Sequence, residues 1–115
     1  MTIKRYEIGA HKSDAVEHGG VVYVSGITAS DRSQDTGGQV REILAKIDTI
    51  LANAGTDKSK ILSANIWLTD VADFKALNDV WIPWLAPGHP PARACVQAAL
   101  AAPGVKVEIA MIVAK

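Results

Sequence analysis

At 115 residues, 49% of them hydrophobic, the chain is sized for a single domain spanning residues 1–115 and is too apolar to be disordered. Lys plus Arg and Asp plus Glu are both 12, a formal net charge of +0, which argues against a broad phosphate-binding face and so against a nucleic-acid partner. The one cysteine excludes an internal disulfide, no run approaches the ~20 apolar residues of a membrane span, and Met1–Glu7 has no apolar signal core, so the expected setting is a reducing cytoplasm with no membrane partner.

Ile3 to Ile8 reads as a short strand. A turn at Gly19-Gly20 leads into Val21–Ile27, rich in β-branched and aromatic residues and therefore a strand. Thr28 to Asp35 is polar and reads as a loop. Val40, Ile43, Leu44, Ile47, Ile50, Leu51 and Ala54 then recur at three- and four-residue spacing, the stripe of an amphipathic helix. Thr36 with Gln39 resembles a capping box at its start, and Gly55 suits a left-handed cap at its end.

Ile61–Leu68 is the next strand. Asp70 or Thr69 caps a second helix with the stripe Phe74, Leu77, Trp81 and Trp84-Leu85, which Pro83 kinks or ends. After a rigid loop at Ala86–Pro91, Ala92–Ala99 and Val105–Val113 read as a closing hairpin. Ala102-Pro103-Gly104-Val105 places Pro and Gly where a type II turn wants them. The order β-β-α-β-α-β-β implies an α+β fold, a mixed sheet with both helices on one face. Ala92, Ala94 and Val96 on one strand, and Ala110, Ile112 and Ala114 on the last, make the other face small and apolar as well. A second subunit is expected to cover it.

Arg93, Cys95 and Gln97 alternate along one face of their strand, and Glu108 lies on the last strand. A guanidinium and a carboxylate are costly to bury unpaired. Two readings follow. Either Arg93 and Glu108 form an internal ion pair, or Arg93 grips a ligand carboxylate while Glu108 holds and deprotonates a water. Strand register decides whether they share a face. Cys95 has no histidine at a diagnostic spacing, which leaves it a small packing residue at a pocket edge rather than a nucleophile. No His, Cys or carboxylate set has metal-ligand spacing, so no metal is expected. Ser25-Gly26 reads as a strand end needing a flexible backbone, and Asn78 as a polar residue at the edge of its helix's stripe.

From Val21 to Val113 the chain resembles the RidA/YjgF family of reactive-intermediate deaminases. The most specific stretch is Pro91-Ala92-Arg93-Ala94-Cys95-Val96 followed by Val105-Lys106-Val107-Glu108-Ile109. Val24-Ser25-Gly26 and Asp70-Val71-Ala72-Asp73-Phe74 with Asn78 add support. The resemblance implies a chorismate-mutase-like fold, a homotrimer with pockets between subunits, and hydrolysis, without a cofactor, of 2-aminoacrylate and 2-iminobutanoate to 2-keto acids and ammonia. It further implies that Arg93 clamps the substrate carboxylate, that Glu108 activates water, and that Cys95 helps form the water site. Ser25 and Gly26 would line the pocket, with Asn78 at its margin. The chain departs from the family pattern in three places. His11-Lys12-Ser13-Asp14 replaces a Gly-Pro-Tyr segment, Ile27 follows Ser25-Gly26 where Gln is frequent, and Ala110 replaces a second acidic residue. Two other functions compete: a non-catalytic binder of small carboxylates, and, against the charge balance, RNA cleavage.

Overall fold

The alternating apolar segments assemble into one six-stranded sheet in the computed structural model, which describes residues 1–115. Its strands are β1 (Lys4–Ile8), β2 (Ser13–His18), β3 (Val21–Ile27), β4 (Ile61–Leu68), β5 (Ala92–Gln97) and β6 (Val107–Ala114). They lie in the order β1-β2-β3-β6-β4-β5, antiparallel throughout except for the parallel pair β4 and β5. Helix α1 (Thr36–Asn53) connects β3 to β4, and α2 (Phe74–Trp84) connects β4 to β5. The stripe Val40, Ile43, Leu44, Ile47, Ile50 and Leu51 of α1 joins Leu77 and Trp81 of α2 in one core cluster. Val22, Val24, Ala64, Ile66, Leu68, Val107, Ile109, Met111 and Val113 of the sheet pack into the same cluster. The fold is therefore the α+β mixed sheet anticipated, with both helices on one face.

Two features differ from the sequence reading. The strand β2 was not anticipated. Its sequence Ser-Asp-Ala-Val-Glu-His buries only Ala15, so no apolar alternation announces it; pairing on both sides, with β1 and β3, makes it a strand. The closing hairpin is not formed either. β6 inserts between β3 and β4, and β5 pairs only with β4. The type II turn is present, with Gly104 at φ 79° and the Val105 N–H donating to the Ala102 carbonyl at 3.3 Å. It belongs to a connection, Ala98–Lys106, long enough to cross over β4 and bring β6 down its far side.

The ends of α1 show how locally such choices are made. Asp35, not Thr36, is the N-cap: its carboxylate accepts from the Gly38 N–H at 2.8 Å. The Thr36 hydroxyl instead donates to Asp73 at 2.5 Å. The Gln39 side chain, fully buried, turns inward. Its amide donates to the carbonyls of Arg32, Gln34 and Gly104, and its oxygen accepts from the Lys106 N–H. At the other end Gly55 takes φ 77°, with Gly55 N–H on Ala52 and Thr56 N–H on Leu51, both at 3.0 Å. This is the Schellman arrangement that a glycine there anticipates.

The opposite face of the sheet carries no helix. Tyr23 and Val96 are 48% and 53% exposed there, with Ile112, Ala92 and Ala94 also exposed. This face is apolar, as the strand patterns anticipated.

Candidate functional site

Arg93 sits on the edge strand β5 opposite Ala64, and Cys95 sits opposite Ile66. Ala64 and Ile66 are core residues, so Arg93 and Cys95 point to the helix-covered face. Helix α2 packs there and presents Phe74, Asn78 and Trp81 at i, i+4 and i+7. The Asn78 Oδ1 accepts from Arg93 Nη1 at 2.8 Å. The guanidinium carbon lies 5.4 Å from the Phe74 ring centre and 5.7 Å from that of Trp81. The fork is thus fixed by one neutral hydrogen bond and two π-faces. None of the four ion pairs in the chain includes it.

Glu108 lies elsewhere. It pairs with Trp67 across β4 and β6, while its neighbour Ile109 pairs with Ile66 in the core, so its side chain is on the open face. Two strand spacings, roughly 10 Å, separate β5 from β6. Arg93 and Glu108 of one chain therefore neither pair nor face one space, and the internal ion pair is excluded. The Glu108 carboxylate lies over Gly26. A Cβ built at Gly26 would stand 2.2 Å from Oε2, which explains why the bulge between Val24 and Ile27 carries a glycine. Trp67, Ala98–Ala101 and Glu108 bound an open cavity of about 300 Å³.

Ser25, beside Gly26, accepts from the Lys12 ammonium at 3.1 Å. The same ammonium reaches the Gly26 carbonyl at 3.4 Å and Asp14 at 3.7 Å. So Lys12 is the group that touches Ser25-Gly26. A cavity of about 470 Å³ opens next to these residues, between Lys12, Gly26 and Lys46 and Asn53 of α1. The structure thus forms Arg93–Cys95–Asn78 on the helix-covered face and Glu108 over Gly26 on the open face, while Lys12 meets Ser25 and the Gly26 carbonyl beside a cavity that α1 also lines. Gln97 joins neither; its Oε1 accepts from the Val71 N–H at 2.8 Å and secures the turn before α2.

Burial pushes the Cys95 thiol above its ordinary value, and the nearby Arg93 charge pulls it back only in part. The thiol is therefore protonated at neutral pH and is no activated nucleophile. Sequence reasoning placed Asn78 at the stripe's edge; there, half-buried, its Oδ1 accepts from Arg93 Nη1. Phe74 and Trp81 were read only as core. The signal for them was their helical spacing around Asn78, which means nothing until β5 is known to lie beneath α2.

Residues 2–115 match the family model described as Endoribonuclease L-PSP. The chain belongs to the RutC/YjgF/L-PSP family. It is 41% identical over 114 residues to the RutC family protein YoaB of Escherichia coli (strain K12), covering 99% of each chain. It is 38% identical over 112 residues to a RutC family protein of Haemophilus ducreyi, covering 97% of this chain and 96% of that one. Among solved structures, NMB1025 of Neisseria meningitidis, a member of the YjgF protein family, superposes with a TM-score of 0.95 at 39% identity, covering 100% of this chain and 96% of the other. Family membership accounts for the topology, including β2 and the inserted β6. No helix is long and apolar enough to cross a membrane.

Proposed function

We propose that the chain is a cofactor-independent enamine/imine deaminase, converting 2-imino acids such as 2-iminobutanoate, and the tautomers of 2-aminoacrylate, to 2-keto acids and ammonia. The observation that carries this reading is Arg93: a half-buried guanidinium, within 5.4 Å of the Phe74 ring centre and 5.7 Å of that of Trp81, with a neutral partner and no counter-charge. Such a fork is suited to a small carboxylate. In the reaction, water adds to the carbon of the protonated imine while Glu108 takes one of its protons, giving the neutral carbinolamine. Glu108 returns that proton to the amino nitrogen and takes the hydroxyl proton as the C–N bond breaks, leaving the ketone and ammonia, which departs with the last proton as ammonium. Arg93 holds the carboxylate throughout and supplies orientation.

Because Arg93 and Glu108 occupy opposite faces, the reading requires two copies of the chain per site. Arg93, Cys95 and Asn78 come from one copy, and Glu108, Gly26 and Ser25 from the next. The uncovered apolar face supports such an assembly, in the family's expected form of a homotrimer of single-domain chains working in the cytoplasm beside enzymes that release imines. Cys95 helps hold the attacking water, while Ser25 and Gly26 line the wall.

The test generates 2-iminobutanoate in situ with a threonine dehydratase and follows 2-ketobutyrate release. Wild type should accelerate release, and Arg93→Ala should lose nearly all of the acceleration. No acceleration by the wild type, across several amino-acid precursors, would refute the activity. A second reading, a non-catalytic carboxylate binder, is favoured by one observation: Glu108 lies on the face away from Arg93. Saturable 2-ketobutyrate binding without turnover would select it. The endoribonuclease in the family description fits poorly with 12 basic against 12 acidic residues.

A further inference from the structure

The unpaired cation of the site faces a neutral acceptor, and that neutrality has a consequence. Arg93 offers five N–H donors, one of which is taken by Asn78 Oδ1 at 2.8 Å. The rings of Phe74 and Trp81, at 5.4 and 5.7 Å, favour the positive charge without cancelling it. The charged residues of α2 are engaged with each other: Lys75 pairs with Asp79 at 2.9 Å on its exposed side. On β5, Cys95 is a protonated thiol. Every group presented to the guanidinium is therefore uncharged. A carboxylate at position 78, at the same distance, would form a charge-assisted pair with Arg93 and compete with any incoming anion.

We propose that Asn78 and Phe74 are positioning residues that form an uncharged cradle for Arg93, and that the neutrality of residue 78 keeps the clamp available to an anionic ligand. The proposal rests on the reading of Arg93 as a carboxylate clamp, but not on turnover. It deepens that reading by assigning the clamp's orientation and free charge to two residues of α2. Trp81, at 3% exposure, also supports the core, so it is the poorer probe. Asn78 is half-buried and Phe74 is 39% exposed, so both can be changed without opening the core.

The experiment measures 2-ketobutyrate binding calorimetrically, and thermal stability, for wild type, Asn78→Asp, Asn78→Ala and Phe74→Leu. Asn78→Asp should lose about tenfold or more in affinity while melting at or above the wild-type temperature, because the new ion pair satisfies Arg93 internally. Asn78→Ala and Phe74→Leu should lose less, through a loosened fork. If turnover is present, KM should rise more than kcat falls. Wild-type affinity in Asn78→Asp, or a loss matched by an equal drop in stability across all three variants, overturns the cradle. No carboxylate binding by the wild type overturns cradle and clamp together. Binding without turnover leaves the cradle standing and removes only the deaminase.

Discussion

The two faces of the sheet treat charge in opposite ways. On the helix-covered face, Arg93 is wrapped by α2 and its orientation is set by three side chains of its own chain. On the open face, the Glu108 carboxylate lies over Gly26 and forms no ion pair within its own chain. A preformed cation on one face and a carboxylate without an internal partner on the other are what the proposed two-copy site requires: a recognition half completed within one chain, and a proton-handling half that a second copy would complete.

The largest expected effects set the halves against each other. Glu108→Gln should lower turnover by about 10²–10⁴ while leaving 2-ketobutyrate binding nearly unchanged, because it removes a base and not the clamp. Gly26→Ala should imitate it. The new Cβ would meet Oε2 at 2.2 Å and the carboxyl carbon at 2.9 Å, so the Glu108 side chain must swing aside. A drop in turnover with little change in melting temperature is the expected signature. Equal damage to binding and turnover in both variants would mean that the two halves are not separable.

Core and open face should also respond differently to truncation. Ile109 is fully buried beneath the helices, and Ile109→Ala should cost about 2–5 kcal/mol in a denaturant titration. Ile112, on the same strand three residues on, points the other way and is 36% exposed. Ile112→Lys should cost the isolated chain less than about 1 kcal/mol, yet shift light scattering from an oligomer toward the monomer. A wild type that is monomeric at all concentrations would remove the two-copy site.

The same contrast explains what the sequence made legible. Both helices, β3, β4, the Gly55 cap and the type II turn were readable because each is written in neighbouring residues: periodicity, a terminal glycine, a Pro-Gly pair. Arg93 and Glu108 were readable as anomalies, charges in apolar strands. Their placement on opposite faces was not, because it depends on β6 crossing over β4, a matter of long-range pairing. β2 escaped for the same reason, since its hydrogen-bond partners and not its own side chains define it. The Arg93 cradle needed both levels, helical spacing on α2 and the parallel register of β5 against β4.

The smallest effect compares two carboxylates that flank the loop after β3. Where Glu108 is bare, Glu42 of α1 is saturated. It accepts from the backbone N–H groups of Ser30 and Asp31 and from the Gln34 amide, and pairs with Lys46 at 3.1 Å. The Ser30 N–H above all holds its carboxyl down at about 2. A carboxyl depressed on folding adds stability that is present above its unfolded value, about 4.3, and is lost as pH falls toward the folded one. The melting-temperature gap between wild type and Glu42→Gln should therefore be widest above pH 5 and close between about pH 4 and 2. Parallel curves for Glu42→Gln would show that the Thr28–Asp35 loop is not anchored through this carboxylate, and the contrast between a bonded and a waiting acid would lose its reference.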